Sequence, residues 1–172
     1  MMINITIGNK TISFAVGNIF EMYEQFDAMM IHHHRGFNIL DCCYRNFREE
    51  HPDYSMGVNE VRCAYADVFK VVSHELDAME RHHVRCIALN PIYTIEGEGF
   101  NYKAQYEMIR ACKHWFTLHP DAYIEHITLV DMNRNRNFAT IYNEMENSPP
   151  EAVARSGRLG SLLKNEARPS VL

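Results

Sequence analysis

The stretch Val84-Arg85-Cys86-Ile87-Ala88-Leu89-Asn90-Pro91-Ile92-Tyr93-Thr94-Ile95-Glu96-Gly97-Glu98-Gly99-Phe100 holds a short apolar run, a glycine-bearing loop and the start of an amphipathic helix. An apolar run of this length, bounded by turn residues, reads as a buried strand. A strand, loop and helix in that order put free backbone N–H groups, and the positive end of the helix dipole, at one edge of a sheet. Phosphate groups bind well at such an edge. This unit predicts an α/β architecture and the edge at which a ligand would sit.

Working outward toward the amino terminus, Ile3, Ile5 and Ile7 alternate with polar residues, Gly8-Asn9 supplies a turn, and Ile12, Phe14 and Val16 resume the alternation. That pattern predicts a hairpin. Phe26 to Ile31 is apolar apart from Asp27, as in a central strand covered on both faces. Beyond His32-His33-His34-Arg35-Gly36, the residues Phe37, Leu40, Cys43, Tyr44 and Phe47 recur at helical spacing. They predict a helix over 37–50, with Asn38 as its cap and His51-Pro52-Asp53 as its stop. Val61, Cys63 and Tyr65 predict a further strand. Asp67 then caps a helix bearing Val68, Val71, Val72, Leu76 and Met79, which ends at Arg81-His82-His83.

Toward the carboxyl terminus, a helix is predicted over 101–118 with Tyr102, Tyr106, Ile109, Cys112 and Phe116 inward. Ile124, Ile127, Leu129 and Val130 make the last strand, and Phe138, Ile141, Tyr142 and Met145 mark a final helix. Strands and helices alternate from Phe26 onward. The expected fold is a three-layer α/β/α sandwich around a mixed, largely parallel sheet of about six strands. After Ser148-Pro149-Pro150 large apolar residues become few, so the reading is a domain over 1–147 and a flexible or loosely docked tail over 148–172.

With 172 residues, 47% of them apolar, the chain is long enough to bury roughly 70% of its unfolded surface as one domain. Its formal charge of −5, with 17 scattered Lys and Arg, argues against nucleic acid as a partner. A small nucleotide remains compatible, because a backbone-lined loop holds phosphate without net positive charge. Five cysteines with no CxxC pair fit a reducing compartment, and no segment reads as a leader or membrane span. The protein is therefore expected in the cytoplasm, without a membrane partner.

Three groups of residues are candidates for chemistry. In the loop 91–100, Gly97 and Gly99 can adopt positive φ and bring the backbone close to a diphosphate, while Glu96 and Glu98 oppose it unless they turn outward. A plain surface turn is the alternative. In the histidine run, His32 and His34 share a strand face, and a metal would need a third ligand from His74, His82, His83 or Asp41. No zinc-type spacing such as HExxH is present. A hydrogen-bonding or catalytic histidine, or simply packed or solvated ones, are the other readings. Gly17-Asn18-Ile19 and Asp27 form the third group, since a polar side chain just after a strand can select an adenine or ribose by hydrogen bonds, or Asn18 can simply cap the segment 19–25. Cys42-Cys43 reads as core, and no Ser/His/Asp or Cys/His signature is found.

The order of these motifs resembles the macrodomain family, α/β/α modules that bind ADP-ribose and in some members hydrolyse its derivatives. Ile12-Ser13-Phe14-Ala15-Val16-Gly17-Asn18-Ile19 is similar to the family's strand ending in Gly-Asp-Ile. Phe26-Asp27-Ala28-Met29-Met30-Ile31 is similar to its Val-Asp-Ala-Ile-Val strand. Leu76-Asp77-Ala78-Met79 through Ile87-Ala88-Leu89-Asn90-Pro91 resembles the helix and strand before its second phosphate loop, and Gly99-Phe100 falls where that loop ends in Gly-Tyr or Gly-Phe. The likeness covers about residues 11–146. Asn18 stands where the family has an adenine-recognising Asp, and His34 replaces the asparagine used by hydrolytic members. Tyr93-Thr94-Ile95 stands for its Ser-Thr-Gly, and only Gly36 represents its first glycine run.

The resemblance implies binding of ADP-ribose or a related nucleotide diphosphate through Asn18, Gly36, Thr94, Gly97, Gly99 and Phe100, without metal or cofactor. Were the chain a hydrolase of an ADP-ribosyl or phosphate-ester bond, His34 would be its general acid or base, with Asp41 second. The alternative is a non-catalytic scaffold with a degenerate pocket that binds another protein through its tail or aromatic surface.

Overall fold

The computed structural model describes residues 3–33, 36–41 and 62–147. Strands β1 (Asn4–Ile7) and β2 (Lys10–Val16) form the expected hairpin, with Ile5 opposite Ile12 and Gly8 at φ +60° in the turn. The third strand, β3 (Ala28–His33), is followed by β4 (Gly36–Asp41) and then by the two-residue β5 (Arg62–Cys63). Helix α1 (Val68–Glu80), β6 (Cys86–Leu89) and β7 (Tyr93–Thr94) lead into helix α2 (Glu98–Leu118). Strand β8 (His126–Asp131) and helix α3 (Phe138–Glu146) complete the order.

Among the described residues the main sheet has six strands in the order β1-β2-β8-β6-β3-β4, and β5 pairs in parallel with β7 apart from it. The inner pairs β2/β8, β8/β6 and β6/β3 are parallel, and the outer pairs β1/β2 and β3/β4 are antiparallel. The architecture is an α/β sandwich on a mixed, largely parallel sheet.

Alternation along the strands decides which side chains meet the helices. Ile12, Phe14, Met30, Ile87, Leu89, Ile127 and Leu129 join one buried cluster with α1, α2 and Phe138. Val68, Val72, Leu76 and Met79 supply the α1 stripe, spaced so that they share one face. Met29, Ile31, Ala88 and Val130 face the other way, against Ile19, Phe20 and Phe26. Among the described residues this second face is covered by the segment around the 3₁₀ turn Tyr23–Gln25 rather than by the expected layer of helices. Because the central strands are covered on both sides, Met29, Met30 and Ile31 are all buried, as the unbroken apolar run predicts.

Two expectations need correction. The helix predicted over 37–50 is not formed where it begins: residues 36–41 are strand β4, and Asn38, expected as a cap, lies opposite Ile31 in the ladder. Phe37 and Leu40 satisfy a helical spacing, but β3 otherwise ends the sheet with unpaired amides and carbonyls, and pairing with the adjacent chain satisfies them. Residues 42–50 lie outside the described residues. In α2, Tyr102 and Tyr106 are only half-buried, and the inward stripe runs through Ala104, Met108, Ile109, Cys112, Trp115 and Phe116.

The chain divides into two compact units, Met1–Tyr142 and Asn143–Leu172. The sheet, α1 and α2 belong to the first unit, and the tail predicted over 148–172 lies outside the described residues. Among the described residues no helix is long and apolar enough to cross a membrane. Cys63, Cys86 and Cys112 are free thiols, and Cys42 and Cys43 lie outside the described residues.

Candidate functional site

Three parallel strands end almost level, because β2, β8 and β6 pair in phase: Val16 lies opposite Asp131 and Leu89 opposite Leu129. Just beyond those ends lies a cleft of about 200 Å³. Gly17, Asn18 and Ile19 continue from β2 into it, Asn90, Pro91 and Tyr93 from β6, and Val130, Asp131 and Met132 from β8. The floor is apolar, with Ile19 and Val130 buried, and the polar side chains Asn18, Asn90 and Asp131 stand at the strand ends. In an α/β sheet this carboxyl edge is where ligands are held.

The Gly17 N–H donates to the Asp131 carbonyl at 2.9 Å, carrying the β2/β8 ladder one step further. A Cβ at Gly17 would meet Met22 Sδ at 3.2 Å, a tight contact that a small shift of the flexible Met22 side chain would relieve. Asn18 Oδ1 accepts the Phe20 N–H at 3.0 Å, as its capping reading predicts, while Asn18 also lines the cleft. Asp131 is 4% exposed. Its carboxylate accepts the Asn133 N–H at 2.9 Å and Gln105 Nε2–H at 3.2 Å. Burial pushes its pKa above the ordinary carboxylate value, and the hydrogen bonds from Asn133, Gln105 and Met132 oppose that rise. Gln105 belongs to α2, so the helix is fastened directly to the cleft's acid.

The residues predicted from the glycine-bearing loop gather at the start of α2, and none of Thr94, Gly97, Gly99 and Phe100 lines the cleft. Their link to it is Tyr93, next to Thr94 in β7. Thr94 is buried: its N–H donates to Asn101 Oδ1 at 2.9 Å and its hydroxyl donates to the Gly97 carbonyl at 3.2 Å. Gly97, at φ +94° and ψ −170°, occupies backbone space essentially reserved for glycine and opens the helix without a side-chain cap. Gly99 lies within the helix and needs no such freedom. Glu96, expected to oppose a phosphate, turns onto the Tyr65 N–H at 3.1 and 3.2 Å. The Phe100 ring is 37% exposed, 5.9 Å from the Tyr65 ring and 5.1 Å from Lys103 Nζ.

Of the two catalytic candidates, only the backbone of Asp41 is described. His34 lies outside the described residues. Gly36 opens β4 opposite His33, at the edge toward which β3 runs, whereas Asp41 closes β4 opposite Ala28 at the other edge. The separation follows from the antiparallel pairing: six residues of strand span roughly 17 Å from end to end. Among the described residues, no three His, Cys, Asp or Glu side chains are grouped so as to hold a metal ion.

Asn90 and Asp131 were not singled out from the sequence as site residues. The available signal was a polar residue directly after an apolar strand, Leu89-Asn90 and Val130-Asp131, repeated at two neighbouring strand ends. Compared with known protein families and with curated proteins, the chain matches none.

Proposed function

We propose that the chain binds ADP-ribose or a related nucleotide diphosphate, in the manner of a macrodomain, with the base or ribose in the cleft beyond β2, β6 and β8. The observation that carries this reading is the cleft itself, an apolar floor ringed by Asn18, Asn90 and Asp131 at the carboxyl ends of parallel strands. At about 200 Å³ it is smaller than the roughly 300–1,000 Å³ of pockets for drug-sized ligands, and so suits one ring-bearing part of such a molecule. An ionised Asp131 only accepts hydrogen bonds, which favours a ring amino group or sugar hydroxyl over a phosphate. The phosphates would then run toward Gly97 and the start of α2, where the helix dipole favours negative charge and Glu96 is held aside by Tyr65. Hydrolysis of an ADP-ribosyl or phosphate-ester bond rests on His34 from the sequence, since Asp41 closes β4 at the edge away from Gly36.

Calorimetric titration with ADP-ribose, ADP and AMP tests the reading. Binding is expected, weakened at least tenfold by Asp131→Ala, since a lost charged hydrogen bond contributes about 1.5–3 kcal/mol. No heat at millimolar nucleotide would remove it. A second reading, the protein-interaction scaffold, draws on the apolar side chains beside the cleft, Val16 at 48% and Met132 at 65% exposure. On that reading nucleotides give no heat, and Met132→Asp abolishes partner binding.

A further inference from the structure

We propose that the outer stripe of helix α2 is a binding surface for single-stranded nucleic acid, with bases stacking on its rings and phosphates neutralised by its cations. Phe100, Lys103, Glu107, Arg110 and His114 recur at alternating steps of three and four residues, so they lie in one row along the helix, roughly 21 Å long. Rings from neighbouring elements flank the row. Lys103 Nζ stands 5.1 Å from the Phe100 centroid and 5.9 Å from that of Tyr102, and the Arg136 guanidinium lies 4.5 Å above Tyr102. Arg110 lies 5.9 Å from the Phe69 ring, which packs on His114 at 5.6 Å, while Tyr65 packs on Phe100 at 5.9 Å. Glu107 is the acid of the row, paired with Arg110 at 2.7 Å.

The chain's overall charge of −5 argues against a polyanionic partner, but that average hides where the cations stand. Lys103, Arg110 and Arg136 each sit on an aromatic ring, and the Arg110 side chain is 54% exposed. Cations beside π-faces are the two elements that single-strand binders combine. A flexible Lys or Arg can swing from a ring to a phosphate and leave the ring face to a base. An acidic peptide would use only the charges, and a duplex keeps its bases stacked inside, so the interleaved rings favour an unpaired strand. The row does not include the cleft residues, and the inference stands whether or not a nucleotide occupies the cleft.

The test is fluorescence anisotropy of the full chain with labelled oligouridylate and oligodeoxythymidylate at low salt, alongside a duplex of the same length. The single strands are expected to bind with a log K against log salt slope of about −2, from three phosphate contacts. Lys103→Ala with Arg110→Ala should flatten that slope, whereas Phe100→Ala and Tyr102→Ala should weaken binding about tenfold with the slope kept. Thermal unfolding of each variant confirms that it folds, and Lys103→Gln repeats the charge loss conservatively. Absence of single-strand binding at low salt would overturn the proposal. So would equal affinity for the duplex, competition by polyglutamate as strong as by the oligonucleotide, or ring variants that bind like the parent chain. The variants at Tyr102 and Arg110, which the nucleotide reading does not use, should titrate with ADP-ribose as the parent does, which separates this outcome from a failure at the cleft.

Discussion

At the amino-terminal edge of the main sheet, the Asp27 carboxylate accepts the N–H groups of Arg85 and Cys86 at 3.0 and 2.9 Å, and Glu80 accepts those of Tyr123 and Ile124 at 2.7 and 3.1 Å. The Lys10 ammonium donates to the Ala122 carbonyl, and Arg85 pairs with Glu125 at 2.7 Å. At the carboxyl edge, Asn18, Asn90 and Asp131 instead surround a hollow. Side chains close loop amides at both ends, Asn18 that of Phe20 and Asp131 that of Asn133, but only at the carboxyl end do they also border a cleft. At the amino edge the acids are used up in closing backbone amides, whereas at the carboxyl edge the in-phase strand ends leave a hollow beside the side chains that close them.

The largest effect that would sharpen this contrast is expected at the amino edge. Glu80→Ala strips a partner from the Tyr123 and Ile124 amides, the latter in a fully buried residue. Stability should fall by about 2–3 kcal/mol in urea unfolding while nucleotide affinity is unchanged. A parallel loss of affinity would break the separation of the two edges. Next in size, Gly97→Ala is expected to cost about 1–2 kcal/mol from backbone strain alone, because nothing lies within 4 Å of the added Cβ. Gly99→Ala, inside the helix and equally open, should gain about 0.5–1 kcal/mol. Equal effects of the two changes would show that the loop does not need a positive φ at Gly97.

The smallest effects are pH dependences of opposite sign at the two edges. His126, hydrogen-bonded to Ser13 Oγ at 2.7 Å, has its pKa lowered from 6.5 by burial. Its contribution to stability is present above pH 6.5 and is lost as pH falls through the lower folded value. Asp131 has its pKa raised above 3.8, so its contribution is present below pH 3.8 and is lost as pH rises through the higher folded value. Thermal unfolding against pH should show the first slope vanish in His126→Gln and the second in Asp131→Asn. If either variant keeps the parent's slope, that residue does not set it.

Much of the fold was legible because apolar periodicity is local. The hairpin at 4–16, the α1 stripe and the strand after it follow from residues a few positions apart. The stretch 36–41 is not legible locally, because Phe37 and Leu40 fit both a helix and a strand, and only the proximity of β3, a tertiary fact, decides between them. The site was half legible. Asn18 lines the cleft because it directly follows a strand, while Thr94 and Phe100 of the glycine-bearing segment do not line it. Asp131 and Asn90 become site residues through the parallel pairing of β2, β8 and β6, which juxtaposes strand ends far apart in sequence.

That in-phase pairing makes the cleft floor a backbone construction. The β2/β8 ladder, extended by the Gly17 N–H on the Asp131 carbonyl, fixes the height of the platform without help from the side chains that point off it. Position 132, 65% exposed beside that platform, can then be exchanged like a tooth in a fixed jaw. Selectivity could be re-engineered there while the scaffold beneath keeps its shape.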